Sequence, residues 1–95
     1  MPAYVIVDIG VTNPEIYAEY VKAAPPTIAN FGGKYIVRGG KAEGLEGEWA
    51  PRRVVVLEFP SYERAKAWWS SPEYVEVRRI RERSATADMI VVEGM

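Results

Sequence analysis

The chain has 95 residues, which is enough for one domain, residues 1–95, with a modest core. Twelve basic against thirteen acidic residues leave a net charge of −1 and remove the long-range attraction that carries proteins onto nucleic acid or anionic membrane, so neither is expected as a partner. There is no histidine and no cysteine, which takes away disulfides, thiolate chemistry and the usual zinc, haem and non-haem iron ligand sets, so no metal and no cofactor is expected.

The amino-terminal stretch MPAYVIVDIG lacks the basic flank of a signal peptide, and a cytoplasmic location is expected by default. Within it, residues 3–9 are β-branched and aromatic with hardly a polar position, the pattern of a strand covered on both faces. Thr12, Asn13 and Pro14 supply a helix cap, and Ile16, Tyr17, Tyr20, Val21 and Ala24 form one apolar face. Pro25 and Pro26 predict that this helix stops or bends near Ala24, with a short second piece from Pro26 to Asn30.

The stretch GGKYIVRGG reads as a strand with a glycine pair at each end. A phosphate-binding loop would need its glycines between a strand and a helix N-terminus. Gly32 and Gly33 instead follow a helix, and Gly39 and Gly40 precede a loop, so they are expected to permit turns with positive φ. KAEGLEGEWAPR is that loop. A second strongly apolar strand covers residues 52–59, RRVVVLEF, and Ser61 caps a helix over about residues 62–70. Ser71 and Pro72 open a third helical piece to about Arg83, and DMIVVE, residues 88–93, forms the last strand.

The order strand, helix, strand, strand, helix, strand predicts an α+β class fold, a ferredoxin-like βαββαβ protomer with a four-stranded antiparallel sheet. Right-handed crossovers put strands one and three in the centre, and these are the two most apolar strands. The helices of one chain can cover only one sheet face. The economical cover for the other is a second copy, giving a twofold homodimer.

The combination of GGKYIVRGG, EFPS, SPEY and the terminal VVEG resembles the bacterial family called domain of unknown function 1330, in the dimeric α+β barrel superfamily. The resemblance runs from Tyr4 to Gly94 and implies a ferredoxin-like protomer that pairs into a barrel. It implies no settled reaction. Other members of that superfamily include cofactor-free monooxygenases, muconolactone-type isomerases and haem-dependent chlorite dismutases; the haem branch has no counterpart in a chain without histidine.

Several side chains are candidates for a site. Asp8 and Glu58 stand late on the two central strands; as parallel neighbours about 5 Å apart they would raise each other's pKa and divide acid and base roles. The structural reading has Asp8 solvated and Glu58 paired with Lys34 or Arg38. Arg38 ends a strand, where its donors could meet a carboxylate ligand or simply charge a sheet edge. Tyr17, Tyr20, Trp68, Trp69 and Tyr74 are core aromatics that would also line a pocket between helices and sheet, and Trp49 in the loop reads as an anchor. Arg78, Arg79, Arg81 and Arg83 fan around a helix as a solvated, ion-paired face, with Arg81 and Ser84 kept as an anion-binding candidate. The sequence therefore supports a homodimer that binds a small, anionic organic molecule in a sheet-helix pocket through Arg38, Tyr20, Trp69, Tyr74, Arg81 and Ser84. Asp8 and Glu58 would be the catalytic pair of a metal-free monooxygenase- or isomerase-like enzyme. The alternative is a non-catalytic dimerisation or ligand-sensing module, and the sequence leaves the choice open.

Overall fold

A computed structural model describes all 95 residues. The elements are β1 (Ala3–Val11), α1 (Pro14–Asn30), β2 (Lys34–Arg38), β3 (Val54–Phe59), α2 (Tyr62–Ser70), α3 (Pro72–Ser84) and β4 (Ala85–Glu93). The strands form one antiparallel sheet in the order β2-β3-β1-β4, so the ferredoxin-like expectation holds and the two apolar strands are central. No helix is long and apolar enough to cross a membrane.

Two expectations about the elements are corrected. β1 and β3 run antiparallel, with Asp8 opposite Val54 and Tyr4 opposite Glu58. The α1 crossover makes β2 parallel to β1, and the β2-β3 connection then reverses the chain, so β3 must oppose β1. α1 does not stop at the prolines but continues through Pro25 and Pro26 to Asn30. The cost of two missing amide donors is offset by anchors on both sides. Ala24 and Ile28 are buried, the Thr27 hydroxyl donates to the Ala24 carbonyl at 2.7 Å, and the end is closed by a Schellman arrangement. In that arrangement Gly33 N donates to the Ile28 carbonyl and Gly32 N to the Ala29 carbonyl, both at 2.9 Å, with Gly32 at φ 77°. β3 begins two residues later than expected and β4 three residues earlier, directly from the end of α3.

Ser71 ends α2 and starts α3 with one hydroxyl. It accepts from Tyr74 N at 3.2 Å and donates to the Trp68 carbonyl at 2.7 Å. The helices cover one sheet face only. Alternation along the strands sends Ala3, Val5, Val7 and Ile9 of β1 and Val55, Leu57 and Phe59 of β3 into the core against Trp68, Tyr74 and Ile28. The intervening residues Tyr4, Ile6, Val54 and Val56 lie half-buried on the other face, flanked by the exposed Val37, Ile90 and Val92 on the edge strands. One chain leaves that apolar face open.

Candidate functional site

The covered sheet face and α1 do not close on each other completely. Val7, Ile9, Val55 and Leu57 form the floor of a cavity, Tyr17, Tyr20, Val21 and Ile28 of α1 its roof, and Trp68 its back. Water-sized space inside amounts to about 30 Å³, and the whole concavity with its mouth to about 410 Å³. Tyr35, Arg38 and Arg53 stand around the mouth.

Backbone details fix both arginines. Arg38 pairs with Val55 across β2 and β3, and Arg53 lies two residues before Val55, so both side chains are on the helix-covered face. Pro25 cannot donate to the Val21 carbonyl, and that freed acceptor receives Arg38 Nη2 at 3.4 Å, a long contact. The Arg38 guanidinium also stacks on the Tyr35 ring, 4.3 Å from its centroid. Arg53 occupies the space beside Gly39, where a β-carbon would collide with its guanidinium; Gly39 itself takes φ 71°. The Nε of Arg53 is buried and has no hydrogen-bond partner. The three ion pairs of the chain are Lys34–Glu58, Arg78–Glu82 and Arg79–Glu76, so neither mouth arginine is neutralised by a carboxylate.

At the inner end Tyr20 and Tyr74 meet hydroxyl to hydroxyl at 2.8 Å, and the buried Arg81 lies close enough to interact with both phenols. Burial, followed by the neighbouring Tyr74, pushes the Tyr20 phenol far above the usual tyrosine range, so it stays protonated. Burial also raises Tyr35, against the opposing effect of Arg38. Trp68 lies 4.0 Å from Tyr74, centroid to centroid, and its indole N–H donates to Thr27 Oγ1 at 3.1 Å. The result is an apolar cavity with two unpaired cations at its mouth, neutral phenols inside and no carboxylate among its lining residues.

Of the residues expected to bind or react, Arg38, Tyr20, Tyr74 and Arg81 are thus gathered in or behind this cavity. Asp8 and Glu58 are not. They share the open sheet face but stand four residues apart along it, about 13 Å at the rise of a strand, because the central strands are antiparallel. That separation removes the shared proton. Glu58 pairs with Lys34 at 3.7 Å, while Arg38 points to the other face.

Asp8 is buried rather than solvated, at 6% exposure. It accepts from Trp49 Nε1 at 2.8 Å, Arg52 N at 3.0 Å and Arg53 N at 3.3 Å. The Trp49 bond, then that to Arg52, hold its carboxyl below the usual range against the effect of burial. Trp49 is the expected anchor, and Asp8 is what it is anchored to. A depressed folded-state pKa contributes stability that is present above the unfolded value of about 3.9 and is lost as pH falls through the folded value. Asp8→Asn is therefore expected to flatten the acid limb of the stability-pH curve below about pH 4. It should also speed proteolysis in residues 41–53. An unchanged acid limb would contradict the assignment.

Trp69 is 46% exposed and carries the Arg78 guanidinium on its ring at 4.0 Å, outside the cavity. It lines a separate, more open groove between α2 and β4, with about 610 Å³ of water-sized space against about 30 Å³ in the cavity. There Glu63 offsets one of the two cations Lys66 and Arg81, so the groove keeps a single net positive charge against two at the cavity mouth. Ser84 is fully buried and its hydroxyl donates to the Ile80 carbonyl at 2.7 Å, which ends α3 instead of facing a ligand. Sequence reasoning missed Arg53 and Tyr35. Arg53 has the parity of the inward-facing Val55 and Leu57, and a cation at such a position was the available signal.

The family model described as Domain of unknown function (DUF1330) matches residues 2–95. No curated protein matches. Among solved structures, a protein of unknown function from Rhodopseudomonas palustris superposes with a TM-score of 0.80 at 20% identity, covering 99% of this chain and 82% of that one. SnoaB, a cofactor-independent oxygenase from Streptomyces nogalater, is similar at TM-score 0.58 and 12% identity over 99% of this chain and 93% of its own. A dimeric protein of unknown function and ferredoxin-like fold from Bacteroides fragilis is similar at TM-score 0.57 and 13% identity, with 98% and 96% covered. At these identities the likeness is one of fold.

Proposed function

The chain belongs to the DUF1330 family, and we propose that it binds a small organic anion in the cavity between the sheet and α1. The observation that carries this reading is the pair of guanidiniums, Arg38 and Arg53, unpaired by any carboxylate at the mouth of an apolar cavity. An arginine without an acidic partner on a low-dielectric wall attracts a carboxylate or similar anion and can hold it through two donors. The 3.4 Å contact of Arg38 with Val21 is weak enough to be exchanged for a ligand oxygen, and movement of this exposed side chain widens the entrance.

With no carboxylate, histidine or cysteine in its lining, the cavity has no general base of ordinary strength. That favours binding, or chemistry driven by the ligand's own reactivity, over acid-base catalysis by the chain. A cofactor-independent oxygenase shares the protomer fold, which is compatible with the second use.

A thermal-shift series with millimolar aromatic and aliphatic carboxylates tests the proposal. At ten times Kd the stabilisation is about 1.4 kcal/mol, or roughly 6 °C in Tm for a domain of this size. Arg53→Ala and Arg38→Ala are each expected to weaken binding about tenfold or more, the loss of a charge-assisted hydrogen bond. Arg79→Ala, whose partner is the exposed Glu76, should leave it unchanged. Equal shifts in all three variants would sink the reading.

The open sheet face calls for a second occupant, which we take to be another copy of the chain. Its exposed and half-buried apolar side chains form one continuous patch across four strands, larger than scattered surface residues make. A twofold pairing presents the same patch from both sides. The dimeric ferredoxin-like protein from Bacteroides fragilis supports this arrangement by its fold.

A further inference from the structure

The Tyr74 side chain is wholly buried, and its hydroxyl meets the Tyr20 hydroxyl, with Arg81 beside both. Each hydroxyl carries one proton, and Arg81 can only donate. If Tyr20 donated to Tyr74, the Tyr74 proton would be stranded in the core without an acceptor, which folded chains avoid. Either hydroxyl can donate across the 2.8 Å contact, and with Tyr74 as the donor the Tyr20 proton is free to turn toward the cavity that Tyr20 lines. Tyr74 and Arg81 can both donate to the Tyr20 oxygen, and among the hydrogen bonds of the chain no acceptor takes the Tyr20 proton.

Building on the anion-binding reading, we infer that the cavity selects small oxo acids, with the carboxylate at Arg38 and Arg53 and a carbonyl oxygen accepting the Tyr20 hydroxyl. The interior between these polar ends is apolar, so an acid without the carbonyl fits the space but leaves the phenol proton unmatched. The positive charge of Arg81 behind the phenols polarises them toward the carbonyl. Burial keeps Tyr20 in its donor form throughout the neutral range. With the mouth closed the water-sized space of about 30 Å³ has room for only one or two waters, so even a short oxo acid enters only as Arg38 moves aside.

The test uses 4-oxopentanoate and 5-oxohexanoate, each against the isostere in which a methylene replaces the ketone oxygen, with Kd measured by NMR titration or calorimetry. The wild-type chain is expected to prefer the oxo acid of at least one pair by about tenfold, the value of one net hydrogen bond. Tyr20→Phe should bring that preference, read as the ratio of the two Kd values in the same variant, to within about twofold. A ligand labelled with ¹³C at the ketone gives an independent signature: its resonance moves downfield when bound to the wild type and does not when bound to Tyr20→Phe. Equal affinity for oxo acid and isostere, or a preference that survives in Tyr20→Phe, overturns this inference and leaves the anion-binding reading standing. Failure of every acid to bind the wild type overturns both.

Discussion

Trp68→Ala is expected to lower the unfolding free energy by about 3–5 kcal/mol, a large part of the roughly 5–15 kcal/mol available to a domain of this size. Trp68 is 1% exposed and joins all parts of the core. Its ring lies 5.3 Å from Phe59 on β3 and 4.0 Å from Tyr74 on α3, and its N–H reaches Thr27 on α1. Truncation therefore opens a void touching three elements, and none of them can move in to fill it without losing its own contacts. At 4 °C or more per kcal/mol the melting temperature should fall by at least about 12 °C. Trp68→Phe keeps most of the ring and loses the indole donor. The Thr27 hydroxyl still donates to the Ala24 carbonyl in that variant, so its loss should be well under half that of the alanine. Urea denaturation measures both, and a loss below about 1 kcal/mol for Trp68→Ala would mean that the core is not assembled around this ring.

The fold was legible because its signals are periodic and mutually consistent. Two apolar strands, two serine caps and the glycines after α1 each point to the observed elements. What misled were places where a long-range contact overrides a local rule. Pro25 and Pro26 argue for a break when read alone, yet the burial of Ala24 and Ile28 keeps α1 intact, and the carbonyl freed at Val21 becomes an anchor for Arg38. Asp8 and Glu58 look alike on the sequence because each stands late in its strand. Strand direction, which the β2-β3 reversal decides, sends them to opposite ends of the sheet.

The cavity was half legible. Tyr20 and Tyr74 are 54 residues apart and meet only because α1 packs on α3. Arg53 sits beside a strong apolar run, and its partner in space is Gly39, whose lack of a side chain was read as turn geometry alone. Gly39, the first glycine of the second pair in GGKYIVRGG, thus does two things at once: it turns the chain at φ 71° and makes room for a mouth arginine.

Val56→Asp is expected to convert the proposed dimer into a folded monomer. Val56 stands opposite Ile6 on β1 and Val37 on β2, near the middle of the open apolar face. In a sheet-to-sheet pairing the twofold axis brings the same patch from both protomers together, so one substitution buries two carboxylates in a dry, apolar layer. Each uncompensated ion costs several kcal/mol there. In the isolated protomer Val56 is only half-buried on a face open to water, so the same carboxylate remains hydrated and the fold survives. Light scattering at micromolar concentration should give twice the 10.7 kDa chain mass for the wild type and the single chain mass for Val56→Asp, with the far-UV spectrum preserved in both. Asp88, on the same face of edge strand β4, stands opposite Asp8 and tolerates charge already, so Asp88→Lys should alter association far less. A wild-type chain that is monomeric, or a Val56→Asp chain that remains dimeric, would mean that something other than a second copy covers this face.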